Sequence, residues 1–182
     1  PDSLTSIGIY AFCGCSGLTT IEIPDSVTSI GKRAFFQCTG LTSVTFPDSI
    51  TSIEEEVISN CTSLTEVIIP DGVTSIGNSA FAVCSGLTTI EIPDSVTTIG
   101  ESAFYGCSGL TSVTIPAGVT SIERYTFWEC SGLTYVTIPE SVISIGTNAF
   151  ESCTALKTVY VEDNSVLGIT KGDYGNGKVA QY

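Results

Sequence analysis

The sequence predicts an α/β solenoid of 23-residue coils, each carrying a short parallel strand and a short helical turn. Three observations predict it. Proline recurs at Pro1, Pro24, Pro47, Pro70, Pro93, Pro116 and Pro139. Cysteine keeps the same beat at Cys15, Cys38, Cys61, Cys84, Cys107, Cys130 and Cys153. Aligned on that beat, apolar residues fall into columns: Leu4, Val27, Ile50, Val73, Val96, Val119, Val142; then Ile7, Ile30, Ile53, Ile76, Ile99, Ile122, Ile145. A third column holds Phe12, Phe35, Ile58, Phe81, Phe104, Phe127 and Phe150. A fixed period in this range marks a repeat array whose coils pack only on their neighbours.

Each element of the coil has its reason. Leu18-Thr19-Thr20-Ile21-Glu22-Ile23 ends on an in-out-in alternation, the pattern of a half-buried strand. Parallel strands are therefore expected near Ile21, Val44, Val67, Ile90, Val113, Val136 and Val159. The proline that follows cannot donate to a ladder and ends the strand. Asp-Ser then favours a turn. Val27-Thr28-Ser29-Ile30 suits a second extended arm, and Gly31 lets the chain change direction. Ala34-Phe35 to Cys38 is compact enough for one helical turn, and Gly40 swings the chain into the next strand. Seven coils span residues 1–161. Residues 162–182 form a degenerate unit. There Val166, Leu167, Ile169 and Val179 can cover the open end of the last coil, with Asn176-Gly177 folding a short hairpin, as a C-terminal cap or the start of a linker.

The unit Leu-x-x-Ile-x-Ile-Pro followed by Val-x-x-Ile-Gly-x-x-Ala-Phe-x-x-Cys resembles the BspA-like, treponemal class of leucine-rich repeats. The resemblance covers residues 1–161 in seven registered copies. It implies a leucine-rich-repeat horseshoe with parallel strands on the concave face and helical turns on the convex side. It also implies surface proteins of bacteria or protists that adhere to host proteins or other cells. It places the column cysteines inside the coil as small apolar residues. Two coils depart from the pattern. Coil 3 carries Glu54-Glu55-Glu56 where glycine usually begins a turn, and Ile58 replaces phenylalanine. Coil 6 has Glu123 and Thr126 at glycine and alanine positions.

The composition limits the function. Lys and Arg number 6 against 19 Asp and Glu, giving a net charge of −13. No basic stripe can neutralise phosphates, which argues against nucleic acid or an anionic membrane surface as partner. No run of about eighteen apolar residues exists to insert in a bilayer. There is no histidine, so the Ser-His-Asp and Cys-His arrangements are absent, and no phosphate loop appears. No catalytic residue, cofactor or metal site is expected. With no methionine, the chain reads as a processed product or part of a longer protein.

Single-file cysteines at sheet spacing cannot all pair, and the resemblance places them inside the coil, so Cys38, Cys61, Cys84, Cys107, Cys130 and Cys153 are expected buried and unbridged. Cys13 sits on an outward flank and is the exposed thiol, open to reaction or crosslinking. The acidic column Asp2, Asp25, Asp48, Asp71, Asp94 and Glu140, broken by Ala117, reads as a solvated edge capping each post-proline turn; the alternative is a row of weak calcium sites. Asn60-Cys61-Thr62 fits a glycosylation sequon only by accident of the column.

The candidate contact residues are aromatic. Tyr135 and Tyr160 stand on adjacent coils of a strand face otherwise small and polar, placed to stack. Tyr105 and Trp128 share a flank column with Tyr125 nearby, either as a contact or as cover for their own turns. The function these features suggest is a non-enzymatic adhesion or protein-interaction module, cell-surface or secreted, whose partner is a protein or cell-surface ligand. The alternative is a structural solenoid that associates through an uncapped N-terminal end into filaments.

Overall fold

The computed structural model describes residues 3–161 and 178–181, and within them the chain winds as a stack of seven coils built from fourteen short parallel strands. One line of strands lies on the main face: β2 (Thr20–Ile21), β4 (Ser43–Thr45), β6 (Glu66–Ile68), β9 (Ser112–Thr114), β11 (Tyr135–Ile138) and β13 (Thr158–Val161). A second line forms the arm after each proline turn: β1 (Ser6–Ile7), β3 (Ser29–Ile30), β5 (Ser52–Ile53), β7 (Ser75–Ile76), β8 (Thr98–Ile99), β10 (Ser121–Ile122) and β12 (Ser144–Ile145). Paired residues differ by one period, as in Ser43↔Glu66 and Ser75↔Thr98.

The core is the set of columns read from the sequence, except in the first coil, where Leu4 is exposed and Phe12 half-buried. Val27, Phe35, Cys38, Leu41, Phe81, Leu87, Phe104, Phe127 and Leu133 are fully buried. Phenylalanine rings stack in near-parallel fashion at 5.2 Å between Phe81 and Phe104 and 5.3 Å between Phe104 and Phe127. Ile58 interrupts the stack in coil 3, as its sequence position requires.

The helical turn is not formed: no helix occurs among the described residues. The backbone explains why. Two positions in each turn, four residues apart, have left-handed φ between +53° and +62° where they are not glycine, as at Arg33 and Gln37. Alternate N–H groups then point out of the coil. Arg33, Phe35 and Gln37 donate to the carbonyls of Glu55, Val57 and Ser59 in the next coil, at 3.1, 2.8 and 2.9 Å. Ala34, Phe36 and Cys38 donate three residues back within their own turn. A helix would need every N–H directed four residues back along one axis. Here half of them tie coil to coil, which offsets the cost of about 1–2 kcal/mol for each left-handed residue.

The arm line is broken in two places, between β3 and β5 and between β8 and β10. These breaks fall where Glu54 and Glu123 replace the column glycine. At Gly31, Gly77, Gly100 and Gly146 an added Cβ would lie 2.6, 2.7, 2.6 and 2.4 Å from a backbone nitrogen of the preceding coil. Glycine thus permits the close approach that ladder bonds need, and Gly77 and Gly100 donate to Ile53 and Ile76 at 2.7 and 2.8 Å. A glutamate cannot come that near, so coils 3 and 6 stand off from coils 2 and 5 along the arm. The turn ladder crosses both junctions undisturbed.

The strand expected near Ile90 is not formed, and the main-face sheet is interrupted between β6 and β9. In register, Glu91 would lie beside Ile68, which is 50% exposed, so the pair offers no favourable cross-strand contact. The other six expected strands are present.

The expected hairpin turn at Asn176-Gly177 and the covering residues Val166, Leu167 and Ile169 lie outside the described residues, as does Asp2. Lys178–Gln181 forms β14, which pairs parallel with β13 as a further coil would: Thr158↔Lys178 and Val159↔Val179, an offset of 20 rather than 23.

Candidate interaction surface

The five aromatic candidates form two clusters. On the main face the ladder sets Tyr135 beside Thr158 and Thr137 beside Tyr160, so the two tyrosines meet diagonally across β11 and β13. Their rings meet edge to face at 6.2 Å and 81°, not stacked as expected, a geometry favoured by the ring quadrupole. Tyr135 is 43% exposed.

On the turn side, Trp128 is the hub. Tyr105 of the preceding coil lies 5.2 Å from it and Tyr125 of its own coil 5.0 Å, both tilted. All three are half-buried. They cover their turns and still present ring surface to solvent. The guanidinium of Arg124 lies over Tyr125, 5.3 Å from the ring centre, and pairs with Glu101 at 2.7 Å. Desolvation first, and then the Glu129 carboxylate that accepts its hydroxyl, push the Tyr105 phenol above its ordinary value.

A parallel arrangement sits four coils earlier in the turn column. Arg33 donates to the Tyr10 hydroxyl, lies 5.5 Å from the Tyr10 ring centre and 5.9 Å from that of Phe36, and pairs with Glu56 at 2.6 Å. Beside it Lys32 pairs with Glu55 at 2.8 Å. That hydrogen-bonded pair raises the lysine and lowers the glutamate. The three ion pairs among the described residues therefore all span the two junctions whose arm ladders are broken. Sequence reading missed them, yet the signal was there: each joins opposite charges one period apart. A groove of about 450 Å³ runs along the arm at the first of these junctions, between Ile7, Thr28, Ile30, Ile50, Ser52 and Glu54.

Six of the seven column cysteines, Cys38 to Cys153, are buried and unbridged, and Cys13 is exposed, as expected. The seventh, Cys15, is exposed rather than inside the coil, because it lies in the first coil and no described coil precedes it. Each buried thiol donates to the phenylalanine-column carbonyl of the coil before, as in Cys107 to Phe81 at 3.1 Å. Burial pushes the thiols of Cys61 and Cys153 up to about 12. The proline turns are closed by backbone, Val96 N–H to Pro93 at 3.0 Å, and tied to the coil before by serine, Ser95 to Val73 at 2.6 Å. Asp25, Asp48, Asp71 and Asp94 are exposed on that edge and do not cap the turns as expected. No group of three or more acidic or thiol side chains is placed to hold a metal ion among the described residues. Among them, no helix is long and apolar enough to cross a membrane.

Parallel strands repeating every 23 residues over an aliphatic and phenylalanine core define a leucine-rich-repeat solenoid. Sequence comparison agrees: the BspA type leucine rich repeat region matches in six copies, over residues 1–108 and 75–174. The chain belongs to this family. Among solved structures it is similar to a leucine rich repeat protein of T. pallidum, at 32% identity and a TM-score of 0.82, covering 98% of this chain and 81% of that one. It is also similar to a leucine rich cell surface protein of Faecalibacterium prausnitzii, at 32% identity and a TM-score of 0.72. That match covers 96% of this chain and 56% of the other. A leucine-rich repeat protein of Bacteroides ovatus follows at 27% identity and a TM-score of 0.65, with 98% and 55% covered. No curated protein matches the chain. Repeat proteins of this class are protein-interaction modules, and family membership carries that coarse reading to this chain.

Proposed function

We propose that the chain is a non-enzymatic adhesion or protein-interaction module of a cell-surface or secreted protein. Its contacts are Tyr135 and Tyr160 on the main face, and Tyr105, Tyr125 and Trp128 on the turn side. The observation that carries this reading is the clustering on neighbouring coils of aromatic rings that keep surface open to water, Tyr135 exposed and the other four half-buried. Such rings supply contact area at low conformational cost. The description of the F. prausnitzii relative as a cell surface protein supports the location.

The test is bead adhesion. Beads carrying the chain should bind a cultured epithelial layer above uncoated beads. The double variant Tyr135→Ala/Tyr160→Ala should lose about ten-fold of that binding, as removal of interface anchors does. Equal retention of coated and bare beads would remove the reading. The filament alternative requires a mass that grows with protein concentration, which light scattering measures; the interaction reading requires a constant one.

A further inference from the structure

We propose that the groove beside Tyr105 receives an arginine side chain carried on an extended segment of a partner protein. The proposal rests on the interaction reading above and assigns the chemistry of one surface.

The groove, about 510 Å³, crosses coils 4 to 7 on the turn side, between Ser85, Tyr105, Ser108, Glu129, Ser131 and Ser152. Its floor opens at Gly106, where neighbouring coils carry Val83 and Glu129; a Cβ there would meet nothing nearer than 3.5 Å. Four coils at sheet spacing span about 14 Å, the reach of about four extended residues.

The chain itself shows what such a place holds. Twice it lays an arginine over a tyrosine ring and fastens it with a carboxylate: Arg33 on Tyr10 with Glu56, and Arg124 on Tyr125 with Glu101. Tyr105 and Glu129 again set a ring beside a carboxylate, here with the Tyr105 hydroxyl donating to Glu129 and Trp128 packed against the ring at 5.2 Å, and among the described residues no arginine lies over it. Glu129 lines the groove, the exposed Glu151 follows Trp128 one period on in the same column, and the serine rim offers hydroxyls to a peptide backbone. A guanidinium satisfies the set: planar, cationic, able to stack on a ring while donating in parallel to a carboxylate. The net charge of −13 favours a cationic partner.

Trp128 is the chain's single tryptophan, so its fluorescence reports on this patch alone. The probes are the capped peptide Gly-Ser-Arg-Ser-Gly and its citrulline counterpart, which keeps the shape and removes the charge. The arginine peptide should shift Trp128 emission saturably in the millimolar range. Citrulline should weaken the response about ten-fold, and Glu129→Gln should weaken arginine binding to a similar degree. Asp25→Asn, which removes the same charge far from the groove, should change nothing, and melting curves should show both variants folded. An equal response to citrulline overturns the proposal. So does an Asp25→Asn loss equal to that of Glu129→Gln, which would mean diffuse attraction to an acidic protein. So does the absence of saturation up to about 10 mM. Bead adhesion reads the main-face tyrosines and Trp128 emission reads the groove. A silent titration beside adhering beads removes this assignment alone.

Discussion

Closed and opened coil junctions differ at one column, and the difference teaches what holds a solenoid together. At the closed junction between coils 4 and 5, Gly100 lets the arm come within ladder distance and donates to Ile76 at 2.8 Å. At the opened junction between coils 5 and 6, Glu123 holds the arms apart, and Arg124–Glu101 bridges the gap. Yet the phenylalanine rings below are equally close, 5.2 Å in the first case and 5.3 Å in the second. The thiol of Cys130 still reaches the Phe104 carbonyl at 3.1 Å. Opening is confined to the arm; core and turn ladder set the coil spacing, while the arm chooses between hydrogen bonds and ion pairs.

Exchanging the two residue types gives the largest effect. Gly77→Glu should force coil 4 off coil 3, costing about 3 kcal/mol in overpacking and lost ladder bonds, read as a fall in melting temperature. The reverse change, Glu54→Gly, removes the Ser52–Glu54 contact of 2.9 Å and a weak attraction to Lys32, and should leave stability within about 1 kcal/mol. It should also slow amide exchange at residues 51 and 54. Equal costs for the two swaps would break the comparison.

The thiols test whether opening reaches the core. Cys61 and Cys130 face opened junctions, whereas Cys84 and Cys107 face closed ones. All four should resist iodoacetamide alike while Cys13 labels at once. Faster labelling of Cys61 and Cys130 would show the core parting as well. Burial raises these thiols in the folded state, so the unfolded chain loses its thiol protons first. Stability is then fully present below about pH 8.5 and falls as the pH climbs towards the raised values, by about 1.4 kcal/mol per unit for each protected thiol. Thermal melts from pH 7 to 11 should follow that slope.

The smallest effect belongs to the ion pairs. A double-mutant cycle on Lys32→Met and Glu55→Gln should return the smallest coupling of the series, shrinking in molar salt, because both side chains face water. Glu55 is lowered by Lys32, so its contribution is present above the ordinary glutamate value near about 4.3 and vanishes as pH falls through the lowered one. A coupling that survives at pH 2 would have another origin.

The columns, the parallel strands and the buried thiols were legible because one proline and one cysteine mark every coil. The turn was not. Of its fourteen left-handed positions in the described coils, twelve hold ordinary residues such as Arg33 and Val83, so no glycine signal announced them. The missing strand near Ile90 was equally hidden. Residues 15–28 and 84–97 are identical in sequence, yet Thr20–Ile21 forms a strand and its counterpart does not. Their neighbours differ, and a coil read alone carries no record of its neighbours. Of the candidate surface, the five aromatics were visible as residue types. The arginines and carboxylates that surround them appear only when charges are compared one period apart.

Glu54 and Glu123 stand 69 residues apart, three coils, the same distance that separates the two identical segments. That gives the chain a natural unit of growth larger than its period. Removing residues 54–122 would join Ile53 directly to Glu123, leaving every column continuous and one spread arm in place of two. Duplicating the block would add a third at the same interval. A gene carrying such near-identical stretches can lengthen or shorten by unequal crossing-over, and each event delivers an array already in register. Length thereby becomes adjustable in whole blocks, about 14 Å at a time, without any residue of the core having to be reinvented.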